Sequence, residues 1–211
     1  MALTVESDSI KHGERVPDAH SFGVPDGSGG AAPEGGNRSP HLRWSGAPEG
    51  TQSYAVVVYD PDVPADASDV GVEGKTIAED AERTDFAHWL LVDIPADVSE
   101  LPEGAGSEEI VIGGTPPGQT DHGVTGVNSY TDFLAGDEDM EGTYGGYDGP
   151  FPPWNDEQIH RYFTTVYALD VDTLGLEPGF TLEEFRSGRP APRAIDRGHG
   201  VSHRIFWPVA E

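Results

Sequence analysis

The sequence predicts a mainly β fold, and three observations carry that expectation. Its apolar runs, at residues 54–59, 88–94 and 160–169, are short and rich in β-branched and aromatic side chains. Glycine and proline together supply 28 and 18 of the 211 residues, nearly twice the usual share, which marks a loop-rich globular chain. One segment alone carries a helix-start signature.

In chain order, residues 3–6 alternate apolar and polar and predict a short first strand. A Gly/Pro/Ser-rich loop at 25–37 precedes an extended segment in which Leu42 and Trp44 share one face. The unbroken run at 54–59 suits a strand covered on both faces. Residues 65–87 read as acidic and irregular, with a helical turn around 77–82, before a strand at 88–94. A weaker strand is expected at 109–112. The polar connection at 114–146, which contains Asn128-Ser129-Tyr130, is long enough to read as a functional loop or lid. A strong strand at 160–169 follows. Thr181 and Glu184 have capping-box spacing, so 182–187 reads as a short helix stopped by Gly188 and Pro190, and 202–208 reads as a last strand. The length fits one domain spanning 1–211, without internal repeats.

The charge is extreme, with 38 acidic against 12 basic residues and a net −26. Such an excess fits a salt-rich cytoplasm that screens self-repulsion, and it argues against nucleic acid and anionic membranes as partners. The absence of cysteine excludes disulfides and thiol catalysis. No leader pattern or membrane-length apolar run is found, so a cytoplasmic location without stable membrane insertion is expected.

Three polar clusters border the apolar runs: Asp60-Pro61-Asp62-Val63-Pro64, His88-Trp89, and Tyr147-Asp148-Gly149-Pro150-Phe151-Pro152-Pro153 leading to His160-Arg161-Tyr162. Residues two apart on a strand point the same way, which pairs Asp60 with Asp62 and His160 with Tyr162. Neighbouring antiparallel strands would bring all three clusters to one rim of a sheet. Phe151 and Trp154, in the Pro-rich loop, are candidates for the mouth of that site, as is Tyr147.

These clusters resemble the phosphatidylethanolamine-binding protein family, in particular its bacterial and archaeal Raf-kinase-inhibitor-like branch. The resemblance rests on Ser39-Pro40-x-Leu42-x-Trp44-Ser45, Asp60-Pro61-Asp62-x-Pro64, His88-Trp89, Gly149-x-x-Pro152-Pro153 and His160-Arg161-Tyr162, all in the family's order. It implies a central antiparallel sheet in a β-sandwich-like arrangement with a few short peripheral helices. It also implies a pocket for a small anion built by Asp60, Asp62, His88, Gly149, Pro152, Pro153, His160 and Tyr162. Phosphate, a phospholipid head group, or a phosphorylated or carboxylate group would be the ligand, and regulation or inhibition of a kinase or protease partner the role; a homodimer is left open. Val63 stands in place of a small alanine and Phe151 where glycine or cysteine is common, and the 65–87 and 114–146 segments are enlarged. The segment at 189–211 departs from the branch.

Chemically, aspartates that fix histidine tautomers would let His88, His160 and Tyr162 donate to an anion, with prolines stiffening the walls. No cofactor and no metal are expected; His199-x-x-x-His203 lies in sequence ill suited to a helix. The alternative is a hydrolase of small esters or phosphoesters, in which His88 and His160 activate a water between them. No Gly-x-Ser-x-Gly elbow or phosphate-binding loop supports it, so binding without catalysis is the leading expectation.

Overall fold

The computed structural model describes residues 3–26 and 30–187, together with the backbone of 194–197 and 202–204. Its strands, in chain order, are β1 (Thr4–Glu6), β2 (Val24–Pro25), β3 (Ala31–Ala32), β4 (Leu42–Ser45), β5 (Ser53–Pro64), β6 (Arg83–Pro95), β7 (Glu100–Leu101), β8 (Gln119–Thr120), β9 (Gly123–Thr125), β10 (Arg161–Leu169), β11 (Ala194–Arg197) and β12 (Ser202–Arg204). Two short helices, α1 (Tyr130–Phe133) and α2 (Leu182–Ser187), and a 3-10 turn at Asp18–His20 complete the described elements.

The central sheet runs β11-β10-β5-β6-β9-β8, with β12 also pairing β10, and its ladders are antiparallel. A smaller sheet, β1-β4-β7, lies over one face, where Leu42 and Trp44 meet Val56, Val58, Trp89 and Leu91. The other face carries Ala55, Val57, Leu90 and Val92 and is covered by Phe180 and by Leu182 and Phe185 of α2. Alternate residues of β5 therefore enter two different cores, which is why its apolar run is unbroken. The sandwich-like, mainly β architecture is as expected.

The capping box is present: the Thr181 N–H donates to Glu184 Oε2 at 2.8 Å, and the Glu184 N–H donates to Thr181 Oγ1 at 3.2 Å. Other boundaries differ. β5 continues to Pro64 and β6 begins at Arg83, because the ladder between them persists past the apolar runs. The helical turn expected around 77–82 is instead a bridge from Ile77 to Asp156 followed by a turn. Residues 109–112 form no strand: Ile112 is 76% exposed and the Gly114 N–H closes a turn onto Val111 O, so the segment has no ladder to join. The 114–146 connection folds into β8, β9 and α1. Gly188, Pro190, His199 and 205–208 lie outside the described residues. Among the described residues, no helix is long and apolar enough to cross a membrane.

Candidate functional site

Two irregularities in one ladder build the site. On β6, Val58 pairs with Trp89 and Tyr59 with Ala87, which leaves His88 as the extra residue of a bulge. On β5, Asp60 pairs with Phe86 and Val63 with Thr84, so the Pro61-Asp62 step is bulged as well. Proline, which has no N–H to give a ladder, suits such a place. Released from the ladder, the Asp62 N–H donates to Asp60 Oδ1 at 2.8 Å, and His88 O accepts from the Asp148 N–H at 3.0 Å.

His88 is 3% exposed and boxed by the rings of Phe86, Tyr130 and Tyr162, with centroids 5.1–5.7 Å away. Its Nδ1 donates to Asp148 O at 2.6 Å, since a carbonyl can only accept. Nε2 is buried and has no partner among the described residues. Burial pushes the imidazole pKa below its ordinary value, against the pull of Asp60. The ring is therefore neutral at pH 7, and Nε2 carries a lone pair.

His160 is the reverse case. Its Nδ1 lies 2.6 Å from Asp60 Oδ2 and its Nε2 3.2 Å from Asp156 Oδ2. Burial opposes the charged ring, yet the hydrogen bonds to Asp156 and Asp60 outweigh it and raise the pKa to about 9. Both nitrogens donate to protein carboxylates, so His160 is an imidazolium with nothing left for a ligand. Asp156 also accepts from Arg83, at 2.5 and 3.0 Å. Asp62 is used elsewhere: the Arg161 backbone N–H, Nε and Nη2 all donate to its carboxylate at 2.7–2.9 Å, holding its pKa low despite burial. The bulge between Asp60 and Asp62 breaks the alternation that would have paired them on one face.

Asp60, His88, Pro152, Pro153, His160 and Tyr162 line a cavity of about 290 Å3. The expected residues Asp62, Tyr147, Gly149 and Trp154 are not among its walls. Tyr147 is buried against Trp89 and donates its hydroxyl to His20 O at 2.6 Å. Gly149 donates to Asn37 Oδ1 and accepts from the Tyr130 hydroxyl, and a Cβ there would fall 2.2 Å from His20 O. The Tyr162 hydroxyl is hydrogen-bonded to Asp60, so it too is engaged within the protein; burial, first of all, raises its pKa well above the ordinary value. Phe151 and Val63 line the cavity, Phe151 while also packing over Gly23. Both enlarged segments reach the cavity, through Ala67 and Val70 from one and Ser129, Tyr130, Asp132 and Phe133 from the other.

Sequence reasoning missed Asp156, Arg83 and the support behind His88. There the Asp148 carboxylate, its pKa raised by burial, accepts from Asn128 Nδ2 at 2.7 Å and Asn37 Nδ2 at 2.9 Å. Asp148 belongs to the third polar cluster and Asn128 to the long connection, so both stand in segments with a signal of their own. Asp156 and Arg83 lie in segments with no periodicity to flag them, and only the fold brings them to His160.

A sequence profile of the family described as phosphatidylethanolamine-binding protein matches residues 6–188. The UPF0098 protein YbhB of Escherichia coli K12 is 31% identical over 174 residues, 82% of each chain. The UPF0098 protein YbcL of the same organism is 34% identical over 176 residues, 83% of this chain and 73% of that one. The crystal structure of E. coli YbcL, described there as a new member of the mammalian PEBP family, superposes with a TM-score of 0.68 at 29% identity, covering 99% of this chain and all of that one.

Proposed function

The chain belongs to the phosphatidylethanolamine-binding protein family, and from that premise we propose that it binds a small phosphate- or carboxylate-bearing ligand in the His88 cavity. One observation carries the proposal: the buried Nε2 of His88, on the cavity wall, lacks a partner among the described residues, and an unpaired polar atom in that position costs free energy until a ligand satisfies it. Nδ1 is committed to Asp148 O, so the hydrogen bond at Nε2 needs a proton that arrives with the ligand. A dihydrogen phosphate monoanion or a carboxylic acid can donate its own O–H to Nε2, or pass the proton to the ring and accept a hydrogen bond from the resulting imidazolium. Counted from hydrogen phosphate or from a free carboxylate, either route takes up one proton per anion. The Asp60 carboxylate on the same wall favours the singly charged phosphate or the neutral acid over a dianion.

A role as regulator of a partner protein would use the same cavity, with a phosphorylated or carboxylated side chain as the bound group. The hydrolase alternative, in which both histidines activate the water, loses His160 as a base, since both of its nitrogens are already donating.

The test is calorimetric titration with inorganic phosphate and with acetate across pH, alongside NMR of the histidine rings. Affinity is expected to fall about tenfold per pH unit once pH exceeds both the His88 pKa and that of the acid being titrated. His88→Asn is expected to remove binding while the His160 signals stay in place. A pH-independent affinity, or His88 signals that do not respond to either anion, would sink the proposal.

A further inference from the structure

The walls of the His88 cavity change character with depth. Asp60, His88, His160 and Tyr162 are buried, whereas Ala67 and Phe133 on the same walls are exposed, Phe133 by 46%. Val63, Val70, Phe86 and Phe151 are half-buried. The polar groups therefore form the floor, and apolar side chains form the approach to it. Two of these, Val70 and Phe133, come from the two enlarged segments.

That approach is built before any ligand arrives. The buried Asn155 donates from Nδ2 to Asp69 O at 2.8 Å and Lys75 O at 3.2 Å, and its Oδ1 accepts from the Gly71 N–H at 3.0 Å. One side chain thus ties down the backbone on both sides of Val70. Phe133 stands edge-on to Phe86, with ring centroids 6.0 Å apart. A wall already in place lowers the ordering cost of binding.

Size and charge narrow the occupant. An apolar cavity of roughly 150 Å3 holds benzene, and this one has about 290 Å3, so an acid group on the floor leaves room for a ring-sized body. No lysine or arginine among the described residues lines the cavity, while its exposed acidic side chains, Asp85 and Asp132, would repel a second negative charge at the outer end of a ligand. Building on the reading of His88 as an acid-binding group, we propose that the ligand is a monoacid carried on an apolar stem about the size of a six-membered ring, and that Val70 and Phe133 select the stem.

The full chain is titrated by calorimetry at about pH 6 with two pairs of acids that differ in the stem: acetate with 3-phenylpropionate, and methylphosphonate with benzylphosphonate. The stemmed acid of each pair is expected to bind at least about tenfold more tightly, as burial of a ring implies. The pair with the higher affinities identifies the acid group. In NMR of the same samples, Overhauser contacts should run from the phenyl protons to the Val70 methyls. A second carboxylate, para on the ring of 3-phenylpropionate, should weaken binding. Phe133→Ser and Val70→Ser should each shrink the preference for the stemmed acid. Equal affinities within both pairs, or contacts that miss Val70, would overturn the stem while His88 signals that still answer acetate or methylphosphonate keep the acid site. His88 signals that answer none of the four would overturn both. The affinity ratios and the Val70 contacts are read in the wild-type chain, so they decide the matter however the variants fold.

Discussion

His160 and His88 stand in the wall of one cavity and hold opposite charge states, because their partners differ. His160 meets two carboxylates, whereas His88 meets one carbonyl and three aromatic rings. Their effects on stability have opposite signs. The His160 pKa is raised from its ordinary value of 6.5 to about 9, so its stabilisation is fully present below pH 6.5 and is lost as pH rises through 9. The His88 pKa is depressed, so its contribution grows as pH rises and is lost on acidification. Denaturant unfolding at about pH 6.5 and about pH 10 is expected to show a loss on the order of 3 kcal/mol assignable to His160. Asp156→Asn removes one of the two carboxylate charges and should lower the His160 pKa in an NMR titration and shrink that loss; an unchanged titration would refute the assignment. The residue types at this site were legible in the sequence. Their division of labour was not, because a histidine's role follows from what its two nitrogens touch.

At the scale of elements, the two bulges shared by β5 and β6 turn a regular ladder into a site. Each leaves one residue without its ladder partner and redirects it, His88 into the cavity and Asp62 towards Arg161. A strict period of two along β5 and β6 predicts neither outcome, and sequence periodicity could not place the slip. The strap at 145–153 then presses on both: Asp148 fixes His88, and Pro152-Pro153 closes the cavity. Gly149 lies where a methyl group would sit 2.2 Å from His20 O and 2.9 Å from Phe22 N. Gly149→Ala is therefore expected to cost about 1–3 kcal/mol, lowering Tm by several degrees at roughly 2–4 °C per kcal/mol. It should also weaken phosphate binding by displacing the Asp148 carbonyl. A thermal melt superposing on the wild-type curve would contradict the tight packing of the strap.

Across the whole molecule, net charge −26 sets the conditions under which this architecture holds. Self-repulsion acts over a Debye length of about 10 Å at 0.1 M salt and about 3 Å at 1 M. Tm is expected to climb as KCl is raised over that range, and a flat or falling Tm in scanning calorimetry would disprove a salt requirement. Composition alone decides that behaviour, because screened repulsion depends on the number of charges and only weakly on where each lies. Sequence by itself also determined the mainly β architecture, the order of its principal strands and the cluster residues from which the cavity draws. Those properties rest on local periodicity and side-chain type. Only the tertiary structure decided that Asp62 belongs to Arg161, that His160 is clamped by Asp60 and Asp156, and that one His88 nitrogen has no partner among the described residues. Each of these depends on contacts between segments far apart in the chain, set by bulges and loops whose geometry leaves no periodic trace.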